Sequence, residues 1–241
     1  MHFATRSLLA LALVAVLTPA AQAVVTVYTN EAAFIAAAQG LGGALDHEGF
    51  ESDAAWGAVR SISSFKAAPA VLSQGVTWTS NFATGQVTTT AGAGSSGVWG
   101  FFAYPHGSYN TGANCTQPGS CGDGFIGSTS GGFYAIGGWI KTNTPAARIG
   151  LSLDGSAVTF DNASLLDANF AFFGAISSTP FGRFEYREMS GATGDTKNIF
   201  ADEFTYVLAT PVPELSAYEL MLLGLGLAGV AARRRKLADE P

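Results

Sequence analysis

Two prolines, Pro211 and Pro213, set the limit of any folded domain in this chain. Each removes a backbone donor, fixes its own φ and pushes the preceding residue toward an extended conformation. Beyond Val212-Pro213-Glu214 comes an uninterrupted apolar run from Leu220 to Ala232, then Arg233-Arg234-Arg235-Lys236, with only Leu237 to Pro241 after it. From Leu215 the residues are good helix formers interspersed with Gly224, Gly226 and Gly229, a mixture suited to a membrane helix over 215–232 and poor for a water-exposed one. The run is 13 residues, or 18 counted from Leu215. A bilayer core wants roughly 20, so this segment spans marginally. Glu219 is expected at the outer interface, where its charge stays hydrated. The cationic cluster does not cross, which fixes the C-terminus in the cytoplasm and the preceding chain outside.

The other end agrees with that orientation. Arg6 supplies a positive n-region, Leu8 to Leu17 is an apolar h-region, and Ala21-Gln22-Ala23 follows the helix-breaking Pro19 as a cleavage triplet. Residues 1–23 are therefore expected to be a secretory signal peptide, with Val24 as the first mature residue. The competing reading, an uncleaved anchor helix, is disfavoured by the short h-region.

A Pro-Glu pair, a hydrophobic helix and a basic stop, behind a signal peptide, resemble the PEP-CTERM sorting signal of exosortase substrates in exopolysaccharide-making Gram-negative bacteria. The family motif reads Val-Pro-Glu-Pro, and this chain has Val212-Pro213-Glu214-Leu215, so the last proline is replaced. The resemblance implies that Val212, Pro213, Glu214 and the Arg233, Arg234, Arg235, Lys236 cluster form the sorting signal. It implies an exosortase-like membrane protease as partner and only a transient stay in the inner membrane. Removal of the tail would then release the protein to the cell envelope or beyond it. The bland alternative is a C-terminal anchor that is never processed.

Between the signals lie residues 24–210, a length suited to one domain. This stretch carries seven basic residues against fourteen acidic ones, so binding nucleic acid through phosphate neutralisation is not expected. Cys115 and Cys121 flank Pro118-Gly119 in one loop. In the oxidising compartment that export implies, they are expected to form a local disulfide, and the Cys-x-x-Cys spacing of a redox or metal site is absent.

Apolar and polar residues alternate over short spans bounded by Gly, Asn and Asp, which predicts an all-β domain, an antiparallel sandwich of jelly-roll type. Asn30 before Glu31, with Gly40 after the last turn, brackets one short helix over Glu31 to Gln39. Strands are expected at Val25 to Val27, Ala44 to Phe50, Ser61 to Lys66, Gly75 to Phe82, Gln86 to Thr90 and Val98 to Tyr104. More follow at Gly132 to Lys141, Arg148 to Leu153, Ala157 to Phe160, Ala168 to Ile176, Phe181 to Arg187 and Ile199 to Val207. Asp154-Gly155 is the best tight hairpin turn. Tyr28 to Phe34, Leu45 to Phe50, Phe172 to Ile176 with Pro180-Phe181, and Phe200 to Phe204 are similar to jelly-roll or lectin-like domains of other PEP-CTERM proteins.

That resemblance carries one ligand set, in which Asp46 and Glu48 of an early strand and Asp202 near the last would hold a structural calcium ion. The alternative makes them solvent-facing or hydrogen-bonded strand residues. Trp78, Trp99, Phe101, Phe102, Tyr104, Tyr109 and Trp139 cluster along the sequence, and most are expected in the core. Trp99 and Tyr109, beside Gly or Ser, are the candidates for exposed sugar-stacking platforms. No nucleophile or zinc-protease motif is present, and His47 and His106 lack an i,i+4 partner. The expected function is an exported, non-catalytic surface or matrix protein that binds exopolysaccharide or is structural. The alternative is a glycan hydrolase using paired carboxylates among Asp46, Glu48, Glu51, Asp53, Glu185 and Glu188.

Overall fold

The structure, a computed structural model, describes residues 23–82, 84–104, 124–142, 149–162, 169–188 and 199–209. Residues 1–22, His106, Tyr109, Cys115, Cys121 and the sorting signal from Val212 to Lys236 lie outside them. The elements run β1 (Val25–Tyr28), α1 (Glu31–Gln39), β2 (Asp46–Glu48), α2 (Asp53–Trp56), a 3-10 turn (Gly57–Val59), β3 (Arg60–Ser61), β4 (Ala70–Ser73) and β5 (Val76–Ser80). They continue with β6 (Gln86–Ala91), β7 (Trp99–Tyr104), β8 (Gly124–Thr142), β9 (Ile149–Leu153), β10 (Ser156–Asn162), β11 (Ala171–Glu188) and β12 (Ile199–Leu208). Among the described residues no helix is long and apolar enough to cross a membrane.

All twelve strands join one sheet, in the order β10-β9-β11-β8-β12-β7-β6-β3, with β1 on β11, β2 on β12, β5 on β8 and β4 on β5. The expectation of a purely antiparallel arrangement is corrected at one place, because Arg60–Ser61 runs parallel to Thr89–Thr90. Side chains reinforce this two-residue pairing. The Thr88 hydroxyl donates to the Val59 carbonyl at 2.7 Å and lies 2.8 Å from the Ser61 hydroxyl. A second helix, α2, also corrects the expectation of one. Ser52 caps it and Asp53 sits in its first turn, yet four residues are too few to show a helical period.

The strands expected at Ala168 to Ile176 and Phe181 to Arg187 are one strand, β11, and that expected from Gly132 belongs to the longer β8. Pro180 falls in the register break between Ile176 and Phe181, where its missing N–H interrupts no ladder bond. The Asp154-Gly155 turn forms as expected, with φ of 48° and 78°. Gln74-Gly75 repeats those angles between β4 and β5, and both pairs have the type I′ geometry that matches strand twist.

Ring distances show that the sheet doubles back. Trp78 of β5 pairs with Gly127 of β8, whereas the Phe204 ring of β12 lies over Gly138, where a Cβ would meet it at 2.4 Å. A straight strand would hold Gly127 and Gly138 about 36 Å apart. The Trp78 and Phe204 rings are nevertheless 5.0 Å apart. β8 therefore bends between them, near Gly132 with φ +83°. The enclosed core is aromatic, with Phe50, Trp56, Trp78, Phe101, Phe125, Phe184, Tyr186 and Phe204 all buried. On the opposite face, α1 presses Phe34 onto the cross-strand pair Gly137 and Gly174. The Asn30 side chain fixes the start of that helix by accepting from Ala33 N at 2.9 Å.

Candidate functional site

The site begins with an irregularity in β12. Asp202 pairs with Trp139 and Thr205 with Gly137, so Glu203 and Phe204 together oppose Gly138. This bulge places Glu203 at φ 51°, a left-handed conformation that costs a non-glycine residue energy and is held by its surroundings. Phe204 is thereby sent into the core, while Asp202 and Glu203 turn to the loop between β6 and β7.

Three carboxylates clasp that loop. Asp202, fully buried, accepts at Oδ2 from Ser95 N at 2.7 Å, Ser95 Oγ at 3.0 Å and Ser96 N at 3.0 Å. Glu203 accepts from the Ser96 hydroxyl at Oε1 and pairs with His47 Nε2 at Oε2. Glu51 Oε1 takes Val98 N at 2.7 Å and Trp99 N at 2.8 Å. Gly97, at φ +57°, lets the turn close on Glu51, whose Oε1 would lie 2.4 Å from a Cβ there. Loop amides that would otherwise need water are thus satisfied by charged acceptors, the stronger kind of hydrogen bond.

Ser95 and Ser96 form one lip of a cleft of about 400 Å³, whose other lining residues, among the described ones, are Glu31, Trp139, Phe170 and Glu203. Glu31 stands in the first turn of α1, where a negative charge suits the helix dipole. Trp139, half-buried, rests edge-on against Phe172 at 5.9 Å. The Lys141 ammonium lies 4.8 Å from the Phe170 ring centre. The arrangement combines aromatic faces with hydroxyl and carboxylate groups in one open depression.

The expected site residues fall differently. Trp99 is half-buried, and the Arg60 guanidinium lies 4.0 Å from its ring centre, so it serves as a packing surface for a buried arginine. Glu48 Oε1 accepts from Phe50 N at 2.6 Å, Asp46 is half-buried opposite Tyr206, and Asp202 is committed to the serine loop. These three carboxylates do not converge, and among the described residues no three His, Cys, Asp or Glu side chains are placed to hold a metal ion. The bulge is the cause, because it directs Asp202 toward Ser95. Trp139 had a legible signal: it is out of phase with the core residues Ile136 and Ile140, which places it on the other face. Phe170, next to β11, has none.

Burial raises the Asp202 pKa above its usual 3.8, against the lowering effect of the Ser96 and Ser95 hydrogen bonds. Burial likewise raises Glu185 above 4.5, opposed by Arg183 and Arg187. A raised folded-state value means that the folded chain binds the proton more tightly than the unfolded one. The stability this brings is fully present below about the unfolded pKa and is lost as pH rises through the folded one. Wild type should therefore gain stability relative to Asp202→Asn as pH falls from 7 toward 4, measured by urea midpoints. A difference that stays constant across that range would contradict this assignment.

The described residues form a β-rich domain with an open cleft. Residues 209–236 match the family model described as the PEP-CTERM protein-sorting motif. That motif indicates export, a C-terminal membrane anchor before processing, and processing by an exosortase, itself a membrane protein. No curated protein matches the chain. Among solved structures, the chain is similar to the N-terminal CBM22-1–GH10 modules of Clostridium thermocellum endo-1,4-beta-D-xylanase 10B complexed with xylohexaose. That similarity has a TM-score of 0.36 and 14% identity, over 55% of this chain and 26% of that chain.

Proposed function

We propose that residues 24–210 are a non-catalytic glycan-binding module of sandwich type, displayed at the cell surface or in the extracellular matrix after exosortase processing. The observation that carries this reading is the cleft, which sets the Trp139 and Phe170 rings beside the Ser95 and Ser96 hydroxyls and two carboxylates. Sugars present an apolar face bounded by hydroxyl groups, and a depression with rings for the face and acceptors for the hydroxyls matches that chemistry. Exopolysaccharide of the producing cell is the natural ligand class for a protein carrying this sorting motif.

The test is a glycan-array screen of the full chain in mild detergent, followed by titration of the hits. Trp139→Ala should weaken binding by about tenfold or more, as expected for loss of a stacked ring worth ~1.4 kcal/mol. Retained affinity in that variant, with the fold intact by circular dichroism, would remove the cleft as the binding site. One observation favours a second reading, hydrolysis: Glu31 and Glu203 line the same cleft, and paired carboxylates are what glycoside cleavage needs. Against it, both Glu203 oxygens already have partners in Ser96 and His47. Release of new reducing ends that stops on Glu31→Gln would establish the enzyme instead.

A further inference from the structure

Among the described residues, the charged side chains that line the cleft are acidic. Its lining offers the carboxylates of Glu31 and Glu203 and, among the described residues, no cationic side chain. A third carboxylate, Asp202, lies directly behind Ser95 and Ser96. The whole chain carries a formal charge of −6. Glu203 is engaged by Ser96 and His47, but Glu31, half-buried at the cleft wall, has no hydrogen bond or ion pair among the described residues. An acceptor-only group left open in a cleft is a place for a donor from outside.

Aromatic faces add to this preference, because their quadrupoles attract cations. The chain's own lysine shows it: the Lys141 ammonium lies 4.8 Å from the Phe170 ring centre and 5.4 Å from that of Phe200. Among the described residues Lys141 is not part of the cleft lining, although its ammonium lies against the Phe170 ring that is.

We propose that the ligand is a basic glycan, one whose amino sugars carry free, protonated amines. This rests on the glycan-binding reading of the same cleft. The ammonium would sit beside Glu31, with the sugar face against Trp139 and Phe170. Uronic-acid and sulfated chains would be repelled by the two carboxylates and the negative net charge.

The experiment compares three oligomers of equal length with the full chain in mild detergent: β-1,4-linked glucosamine, β-1,4-linked N-acetylglucosamine and galacturonic acid. At low salt the glucosamine oligomer should bind at least about tenfold more tightly than its N-acetylated counterpart, a discrimination expected of one added charge-assisted contact. The uronate should not bind. Raising salt to about 0.2 M should narrow the gap, since partly exposed charges are screened over roughly 8 Å. Glu31→Gln should bring the two affinities toward each other. Equal affinities in wild type, or a preference for the N-acetylated or acidic oligomer, would overturn the inference and leave the glycan-binding reading standing. Binding of none of the three, together with an empty glycan array, would overturn both.

Discussion

Replacing Trp78 by alanine should cost about 3–5 kcal/mol of folding stability, the range found when a large buried ring leaves a cavity that its neighbours fill only in part. Trp78 touches rings from four other segments: Phe50 at 5.2 Å, Phe101 at 5.5 Å, Phe184 at 5.7 Å and Phe204 at 5.0 Å. It is fully buried within the aromatic core cluster. Glycines at 127 and 138 receive the Phe184 and Phe204 rings, so the surrounding backbone is already in close contact and has little room to collapse. Among the described residues the indole N–H has no hydrogen-bond partner, which makes the residue's contribution one of volume and ring contact. Trp78→Phe should accordingly cost much less, about 1–2 kcal/mol. Urea unfolding of both variants measures this, with an unchanged m-value showing that the same transition is followed. A loss below about 1 kcal/mol for Trp78→Ala would mean that the folded-over parts of the sheet do not meet across this ring.

The sequence made the strands visible wherever alternation was short and uninterrupted, as in Val76–Ser80 with its buried, half-buried, buried pattern. It misled where glycine and proline looked like breaks. Gly131, Gly132 and Pro180 lie inside long strands, because at a bend the ladder is already irregular and tolerates them. Ala70–Ser73 went unseen since four residues carry no period worth counting, although the Gln74-Gly75 turn after it is a hairpin signal. The cleft was the least legible part. Its lining comes from Glu31, Ser95, Ser96, Trp139, Phe170 and Glu203, positions joined only by strand pairing across the whole domain. Asp202 was singled out as a ligand candidate, but a bulge has no signature in a single sequence, and without it nothing sends Asp202 to the serine loop. Trp99 drew attention through its glycine neighbours, yet its ring is paired with an arginine from β3 that no local pattern announces.

The sorting tail is the opposite case, since its information is linear and a membrane enzyme reads it in that form. Changing Arg233, Arg234, Arg235 and Lys236 together to serine should abolish processing. Each of those cations opposes entry into the bilayer centre by roughly 2.5–3.5 kcal/mol, so the cluster supplies on the order of 10 kcal/mol of resistance to full translocation. Against this stands a hydrophobic run of only 13 residues from 220 to 232, shorter than the roughly 20 that hold a helix firmly. With the stop removed, so short an apolar run should not retain the chain in the membrane long enough for Val212-Pro213-Glu214 to meet the exosortase. The expected product is an exported chain whose intact mass includes the C-terminal Pro241, recovered outside the membrane fraction. Wild type, in contrast, should lose the basic cluster, and its mass should end upstream of Arg233. Processing of the tetraserine variant at the wild-type rate would show that the Pro-Glu region alone suffices. A wild-type protein that keeps Arg233 to Lys236 at steady state would make the tail a permanent anchor. Its cleft would then be held at a fixed position beside the inner membrane.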